Sequence, residues 1–137
     1  MPIGQRPVNA LWEVSMSVMG IHHISLIVAD TGRALGFYRD ILGLPVIVRP
    51  ELGFPGAWLG VGALQIHLLE LPNPDPVDGR PGHVGRDRHL ALAVDDWDAM
   101  LQQLAAHGID YQASRSGRKA VFCRDLDGNG IELIATT

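Results

Sequence analysis

The chain has 137 residues, a formal net charge of -4 and 47% hydrophobic residues, so we expect one soluble globular domain with a sizeable core. Lys119 is the only lysine and the arginines are scattered, which argues against a nucleic-acid partner, and no apolar run approaches the length of a membrane span. The single cysteine, Cys123, cannot form an internal disulfide and fits a reducing compartment, so we expect a cytoplasmic protein.

The first 19 residues are predicted to form an N-terminal tail or an extra edge segment. Arg6 is followed by an apolar stretch that polar residues interrupt, which is not typical of a signal peptide. The interrupting residues are Asn9, Glu13, Ser15 and Ser17. We predict that the domain proper spans residues 20–137.

The stretch from Ile21 to Ala29 alternates between apolar and other side chains, as a strand with one buried face does. This parity places His23 on the face opposite the core. A helix is predicted next, from about Thr31 to Leu42, because apolar residues recur there at helical spacing. Asp30 or Thr31 offers an N-cap, and Gly43 is a plausible C-terminal stop.

Three short strands are predicted to follow the helix, separated by prolines and glycines. They are Pro45 to Arg49, Ala57 to Val61 and Leu64 to Glu70. Residues 20–70 therefore form one βαβββ module. Residues 71–88 contain four prolines and three glycines, which exclude regular structure and indicate a linker.

The same order of elements restarts at residue 89 and continues to residue 137. We predict a strand from His89 to Val94 and a helix through Trp97 to Leu104, with Asp95 or Asp96 as N-cap and Gly108 as stop. The remaining strands are predicted at Ile109 to Gln112, Ala120 to Arg124 and Gly130 to Ala135. His89 follows His23 by 66 residues and Glu132 follows His67 by 65, a fixed offset that indicates duplication.

Four polar residues occupy matched positions in the two modules: His23, His67, His89 and Glu132. Strand parity puts each on the face away from its own module's helix. If the two sheets curl toward each other, the four side chains converge, and three imidazoles with a carboxylate suit a divalent transition metal. The alternative is that each histidine is a lone polar residue half buried in a sheet.

Several motifs resemble the vicinal oxygen chelate superfamily, which includes glyoxalase I, extradiol dioxygenases, fosfomycin-resistance transferases and methylmalonyl-CoA epimerase. They are HHISLIVAD, FYRDILGL, RHLALAVDD and RDLDGNGIEL. The resemblance covers about residues 20–135. It implies an α+β fold in which two tandem βαβββ modules form a cupped, partly open barrel around a metal, usually in a homodimer.

The resemblance implies that His23, His67, His89 and Glu132 bind one divalent metal per site, which can be Fe, Mn, Ni, Co or Zn. His23 aligns with His89, so His22 is not expected to be a ligand. Bacterial glyoxalase I enzymes usually carry glutamate where this chain has His67. Extradiol dioxygenases and fosfomycin transferases use two histidines and one glutamate, so the chain matches neither pattern fully.

We therefore expect a metal-dependent enzyme that chelates two neighbouring oxygens of a small-molecule substrate. Proton transfer of the glyoxalase or epimerase kind would use Glu132 as the base. The alternatives are an extradiol-type Fe(II) dioxygenase, a thiol transferase and a protein that sequesters a ligand without a metal.

Other polar residues have simpler interpretations. Asp125, Asp127 and Asn129 mimic the start of a calcium loop, but Thr136 stands where such a loop needs glutamate, so a β-turn is predicted. His83 is expected to be solvated in a mobile linker. His107 is predicted to cap the second helix, and Cys123 is predicted to lie in the core.

Overall fold

The computed structural model describes residues 17–136. Most of the predicted tail, residues 1–16, lies outside the described residues, so the edge-segment prediction stays open. The strands of the first module are β1 (His23–Val28), β2 (Val46–Ile47), β3 (Gly56–Val61) and β4 (Leu64–Glu70). Within residues 17–136, no helix is long and apolar enough to cross a membrane.

The predicted first helix is present but changes its geometry midway. An α-helix, α1 (Thr31–Leu35), passes into a π-helical turn over Gly36–Ile41. Asp30 is the N-cap, and its side chain accepts a hydrogen bond from the Arg33 amide. The wider π-helical turn leaves two consecutive aromatic side chains, Phe37 and Tyr38, fully buried, which a regular helix with about 100° between neighbours disfavours.

The second module repeats this order. Its strands are β5 (His89–Val94), β6 (Gln112–Ala113), β7 (Ala120–Arg124) and β8 (Gly130–Ala135), and its helix is α2 (Trp97–Ala106). Asp96 is the N-cap of α2, and Gly108 follows it with a positive φ of 66°. The prediction of a strand from Ile109 to Gln112 is wrong in its position, because β6 begins only at Gln112.

Two four-stranded sheets of identical topology result, with strand orders β1-β4-β3-β2 and β5-β8-β7-β6. In each sheet the first and last strands of the module pair in parallel, and the other pairs are antiparallel. The predicted α+β architecture of two βαβββ modules is confirmed. The sheets are cupped and do not close into a barrel, so β1 and β5 are end strands.

One face of each sheet packs with the helices into a common core. Val28, Leu59 and Leu133 are among its fully buried members, at 0–1% exposure, and Cys123 lies there as predicted. Burial raises the pKa of the Cys123 thiol to about 12, which fits an inert packing role. The opposite face carries His23 and His89, which are exposed.

A buried hydrogen bond joins the modules. The Tyr38 hydroxyl donates to Asp125, which also accepts bonds from the Asp127 and Asn129 amides and so shapes the predicted turn. Burial raises the pKa of both Tyr38 and Asp125. The sequence indicated the turn, whereas its attachment to the first module's helix is visible only in the structure.

Candidate functional site

Each module presents a histidine of its first strand beside a polar side chain of its last strand. In the first module the strand register pairs Ser25 with His67, two residues along β1 from His23. In the second it pairs Ala91 with Glu132, two residues along β5 from His89. His67 and Glu132 are 8% and 3% exposed, so both are buried polar groups that need partners.

The second module holds a charged half-site. His89 Nε2 lies 3.0 Å from Glu132 Oε1. The other ring nitrogen, Nδ1, lies 2.9 Å from the carbonyl oxygen of Asp87, to which Nδ1–H donates. This hydrogen bond leaves Nε2 as the nitrogen that faces the carboxylate, which is the arrangement that a metal-binding histidine needs.

The chemistry and spacing of this pair fit a divalent transition metal. Two donor atoms about 2.1 Å from one ion and at right angles to each other are about 3.0 Å apart. The His89 and Glu132 donor atoms have this separation. The pair therefore has the donor types and the separation of two neighbouring ligands of one ion.

The first module holds an aromatic half-site. The His67 ring lies between Trp58 and His23, with ring centroids 4.0 Å apart on each side and ring planes within 16° of parallel. His67 Nε2 lies 2.8 Å from Gln65 Oε1, to which Nε2–H donates. Burial, and then the nearby positive charges of His23, His22 and Arg49, lower the pKa of His67 and favour its neutral form.

The stack restricts how His23 and His67 can bind a metal ion. The lone pair of an imidazole nitrogen lies in the plane of its ring, and a bound metal lies about 2.1 Å away in that plane. Two nearly parallel planes about 4 Å apart share no such position. Both histidines can bind one ion only after one ring leaves the stack. His22 contacts His23 through their Nδ1 atoms, 2.9 Å apart.

Within one chain the two half-sites lie at different ends of β1. The Ala29 amide donates to Asp127, and the Asn129 side chain donates to the carbonyl of Ile27, so the 125–129 turn sits at the C-terminal end of β1. His89 pairs with Gly130 directly after that turn. His23 is at the opposite end of β1, about 16 Å away along a six-residue strand.

The predicted convergence of all four residues is therefore not formed inside a single chain. Among residues 17–136, no group of three His, Cys, Asp or Glu side chains stands ready to hold a metal. The structure brings His89 to Glu132 and His23 to His67, as two separate pairs. A groove of about 740 Å³, lined mainly by apolar residues, runs between the strands β1 and β5.

The linker is more ordered than the sequence suggested. Arg80 and Arg124 both bind the Asp87 carboxylate, and the Arg80 bond, followed by the Arg124 bond, holds the Asp87 pKa well below its usual range. Residues Val84–Arg86 form a 3₁₀ helix. His83 is half-buried and caps this helix, so the expectation of a solvated His83 is wrong.

Sequence reasoning missed several residues of the half-sites. Arg118, at 3.5 Å from Glu132, lies in a loop that carried no periodic signal, although its run of basic residues was visible. Asp87 acts through its backbone carbonyl, which no side-chain pattern reveals. Gln65 was detectable, because it precedes His67 by two residues and so shares its strand face. His107 caps α2 as predicted.

Comparisons with known proteins agree with the fold. The model of the Glyoxalase/Bleomycin resistance protein/Dioxygenase superfamily matches residues 20–133. The uncharacterized protein YaeR of Escherichia coli is 33% identical over 82% of this chain and 93% of its own length. Glyoxylase I 4 of Arabidopsis thaliana is 28% identical over 86% of this chain and 71% of its own length.

Some of the similar proteins have names or titles that include a metal. Metallothiol transferase FosB of Staphylococcus epidermidis is 25% identical over 85% of this chain and 83% of its own length. A solved structure of a FosX variant from Listeria monocytogenes, with Mn(II) and a dihydroxypropylphosphonic acid, superposes with a TM-score of 0.72. The alignment covers 88% of this chain and 95% of FosX at 20% identity, which shows a shared fold.

Proposed function

Since the chain belongs to the Glyoxalase/Bleomycin resistance protein/Dioxygenase superfamily, we propose that it is a divalent-metal-dependent enzyme that transfers a proton on a small substrate with two neighbouring oxygens. The proposed ligands are His23, His67, His89 and Glu132, and Glu132 is also the proposed base. The observation that carries this proposal is the His89–Glu132 pair, whose donor atoms are 3.0 Å apart and whose histidine tautomer is fixed by Asp87.

A bound divalent cation would supply Lewis-acid stabilisation of negative charge that develops on the two substrate oxygens. Glu132 supplies the proton-transfer group. Its Oε1 lies 3.0 Å from His89 Nε2, and its Oε2, which lies 3.5 Å from Arg118 Nη2, is the proposed acceptor of the proton from the substrate carbon. The buried position of Glu132 keeps water from competing for that proton.

We propose that two copies of the chain complete each site as a homodimer. The support is geometric: the half-sites lie apart within one chain, and β1 and β5 are end strands that flank an apolar groove. In a two-fold arrangement, His23 and His67 of one copy approach His89 and Glu132 of the other. The names of the relatives, a glyoxalase and a metallothiol transferase, support metal-dependent chemistry on small molecules.

The experiment that tests this function combines metal analysis with proton exchange. We expect the purified protein to bind one divalent ion per site and to isomerise the hemithioacetal of an α-ketoaldehyde and a thiol with exchange of the carbon-bound proton. Glu132→Gln should lower kcat by about a hundred- to ten-thousand-fold, because it removes the base. His107→Gln, which changes a histidine that caps α2, should keep full activity.

Two results would contradict the proposal. A protein that holds no metal after purification and takes none up on titration would instead fit ligand sequestration. A Glu132→Gln variant with full activity would exclude Glu132 as the base, and the position of the size-exclusion peak tests the homodimer independently.

A second candidate, thiol addition to an electrophile, is favoured by the aromatic stack. His67 lies between Trp58 and His23, which suits a site with two histidines and one glutamate as ligands. In that case His67→Gln should leave the metal affinity nearly unchanged, whereas His23→Gln should weaken it. Assays with fosfomycin and thiols, and with catechols and Fe(II), distinguish thiol transfer from oxygenation, which shares this ligand set.

A further inference from the structure

The residue whose carbonyl orients His89 is itself held by its side chain. The carbonyl oxygen of Asp87 accepts the Nδ1–H of His89, with the two heavy atoms 2.9 Å apart. The Asp87 carboxylate is only 7% exposed and is bound from two directions. Arg80 donates to it from Nε at 2.7 Å and from Nη2 at 2.9 Å, and Arg124 Nη1 donates at 2.8 Å. The position of the Asp87 carbonyl therefore depends on two guanidinium groups.

Arg124 also binds two backbone carbonyls on either side of Asp87. Its Nη1 donates to the carbonyl of Gly128 at 2.8 Å, and its Nη2 donates to the carbonyl of Pro81 at 2.9 Å. Gly128 belongs to the 125–129 turn, which docks at the C-terminal end of β1, and Pro81 belongs to the linker. A planar guanidinium with donors in fixed directions can hold three acceptors at once. Arg124 therefore fixes the linker to the turn at the place where the chain reaches His89.

The strand register aligns Arg124 with His89. Arg124 pairs with Gly130, and Gly130 pairs with His89, so the three residues form one row across β7, β8 and β5. The matching row of the first module is Gly60, Gln65 and His23. Gly60 offers no side chain at the position that Arg124 occupies, and His23 Nδ1 contacts His22 instead of a carbonyl. The repeat itself therefore does not require this arginine, which accompanies the charged half-site.

We infer that Arg124 is a positioning residue of the metal site, which holds the Asp87 carbonyl against Nδ1 of His89 and thereby directs Nε2 of His89 toward Glu132 and the metal. This inference rests on the proposed function. A carbonyl that accepts the Nδ1 proton fixes the rotation of the ring and makes Nε2 a stronger ligand. When the carbonyl is free to move, only part of the population presents Nε2 correctly, and the apparent metal affinity falls by that fraction.

The first test observes the Nδ1–H proton of His89 in the metal-free full chain. In the wild type, the bond to the Asp87 carbonyl should protect this proton from exchange with water, so that NMR of nitrogen-15-labelled protein shows it as a distinct downfield signal. Arg124→Gln should broaden or abolish the signal, and Arg124→Lys, which keeps a cation for Asp87, should restore part of it. A wild type without the protected proton, or a folded Arg124→Gln variant that keeps it unchanged, would contradict the inference.

Mn(II) affinity, measured by calorimetry on the same variants, gives the second readout. Arg124→Gln should weaken Mn(II) binding by about five- to tenfold, because the orientation of His89 is lost. The direction of this change is informative. Removal of a cation near the site would by charge alone tighten the binding of a divalent ion, so weaker binding reports the position of the ligand. Tighter or unchanged binding in Arg124→Gln would overturn the inference.

Arg88→Gln is the matched control, since it removes a cation from the residue directly after Asp87. The Arg88 guanidinium binds Asp75 at 2.8 Å, and its side chain is 64% exposed. A Mn(II) affinity within about twofold of wild type and an unchanged Nδ1–H signal of His89 are expected. Equal losses in Arg88→Gln and Arg124→Gln would overturn a specific role of Arg124.

The two readouts separate the inference from the function on which it rests. If the wild type binds no Mn(II), the proposed function fails, and the Nδ1–H signal still decides whether Arg124 positions His89. If the wild type binds Mn(II) and Arg124→Gln changes neither the signal nor the affinity, the metal site stands and the role of Arg124 is wrong.

Discussion

The two modules share one topology and one strand register, yet their half-sites differ in chemistry. In the first module, the rings of Trp58, His67 and His23 form a stack. In the second, His89 Nε2 lies 3.0 Å from the Glu132 carboxylate, and Arg118, which is exposed, lies 3.5 Å from its other oxygen. Duplication therefore preserved the backbone positions while the side chains diverged. The charged half contains the proposed base, Glu132, whereas the aromatic half contains the stacked rings.

A difference at one matched position explains how the linker comes to contact the half-site of the second module and not that of the first. Gln65 pairs with His23 in the first module, and Gly130 pairs with His89 in the second. The Gln65 side chain binds His67, whereas the missing side chain of Gly130 leaves room for the carbonyl of Arg88. The linker can therefore pass close to β8, and it delivers the Asp87 carbonyl to His89.

Among the changes that test the difference between the two modules, Gly130→Ala is expected to cause the largest loss of stability. An added Cβ would lie 2.8 Å from the carbonyl oxygen of Arg88 and 3.0 Å from His89 Cβ. We expect a loss of about 2 to 3 kcal/mol in the free energy of unfolding, measured by urea denaturation, together with weaker metal binding. The matched change in the first module, Gln65→Ala, should cost about 1 kcal/mol, because it removes a hydrogen bond without a clash. Equal costs would refute the close passage of the linker.

A smaller effect is expected from His67→Glu, which makes the first half-site resemble the second. The new carboxylate would be buried in the aromatic stack beside Trp58, and the hydrogen bond from His67 to Gln65 would be lost. The metal-free variant should lose about 1 to 2 kcal/mol of stability. Added Mn(II) should raise its thermal midpoint more than that of wild type, while His67→Gln, the neutral control, should show no such gain. A variant that Mn(II) fails to stabilise would contradict a role of position 67 in metal binding.

The smallest effect is expected from Asp87→Asn, because the asparagine oxygen still accepts bonds from Arg80 Nε and Arg124, while its NH2 group loses the bonds from Arg80 Nη2 and the Arg88 amide. The Asp87 pKa is lowered in the fold, so its contribution to stability is complete above the unfolded value near pH 4 and is lost as the pH falls further. The stability difference between wild type and variant should therefore be constant from neutral pH to about pH 4 and should begin to narrow only below that pH. Chemical denaturation from pH 7 to pH 2 measures it, with Asp75→Asn, at an exposed ion pair with Arg88, as control. A gap that does not narrow between pH 4 and pH 2 would show that the carboxylate charge is not its cause.

Much of the fold was predictable because it depends on local periodicity. The strands β4, β5, β7 and β8 follow from apolar runs bounded by glycine, aspartate or proline, and the caps Asp30 and Asp96 follow from their positions before helical repeats. The misplaced strand β6 shows where local periodicity no longer predicts an element. Two residues carry too little pattern to be located, and their pairing with Phe122 and Val121 decides their position.

The sequence by itself determined the two-module architecture and the four polar positions, because the period of two in a strand fixes which side chains share a face. Only the tertiary structure decided how those positions combine. The 125–129 turn docks at the C-terminal end of β1, and this contact places His89 and Glu132 far from His23 and His67. Such a contact between residues nearly a hundred positions apart depends on packing and hydrogen bonds across the modules, and no local pattern encodes it. The same holds for Arg118, whose loop meets Glu132 only when β7 and β8 pair.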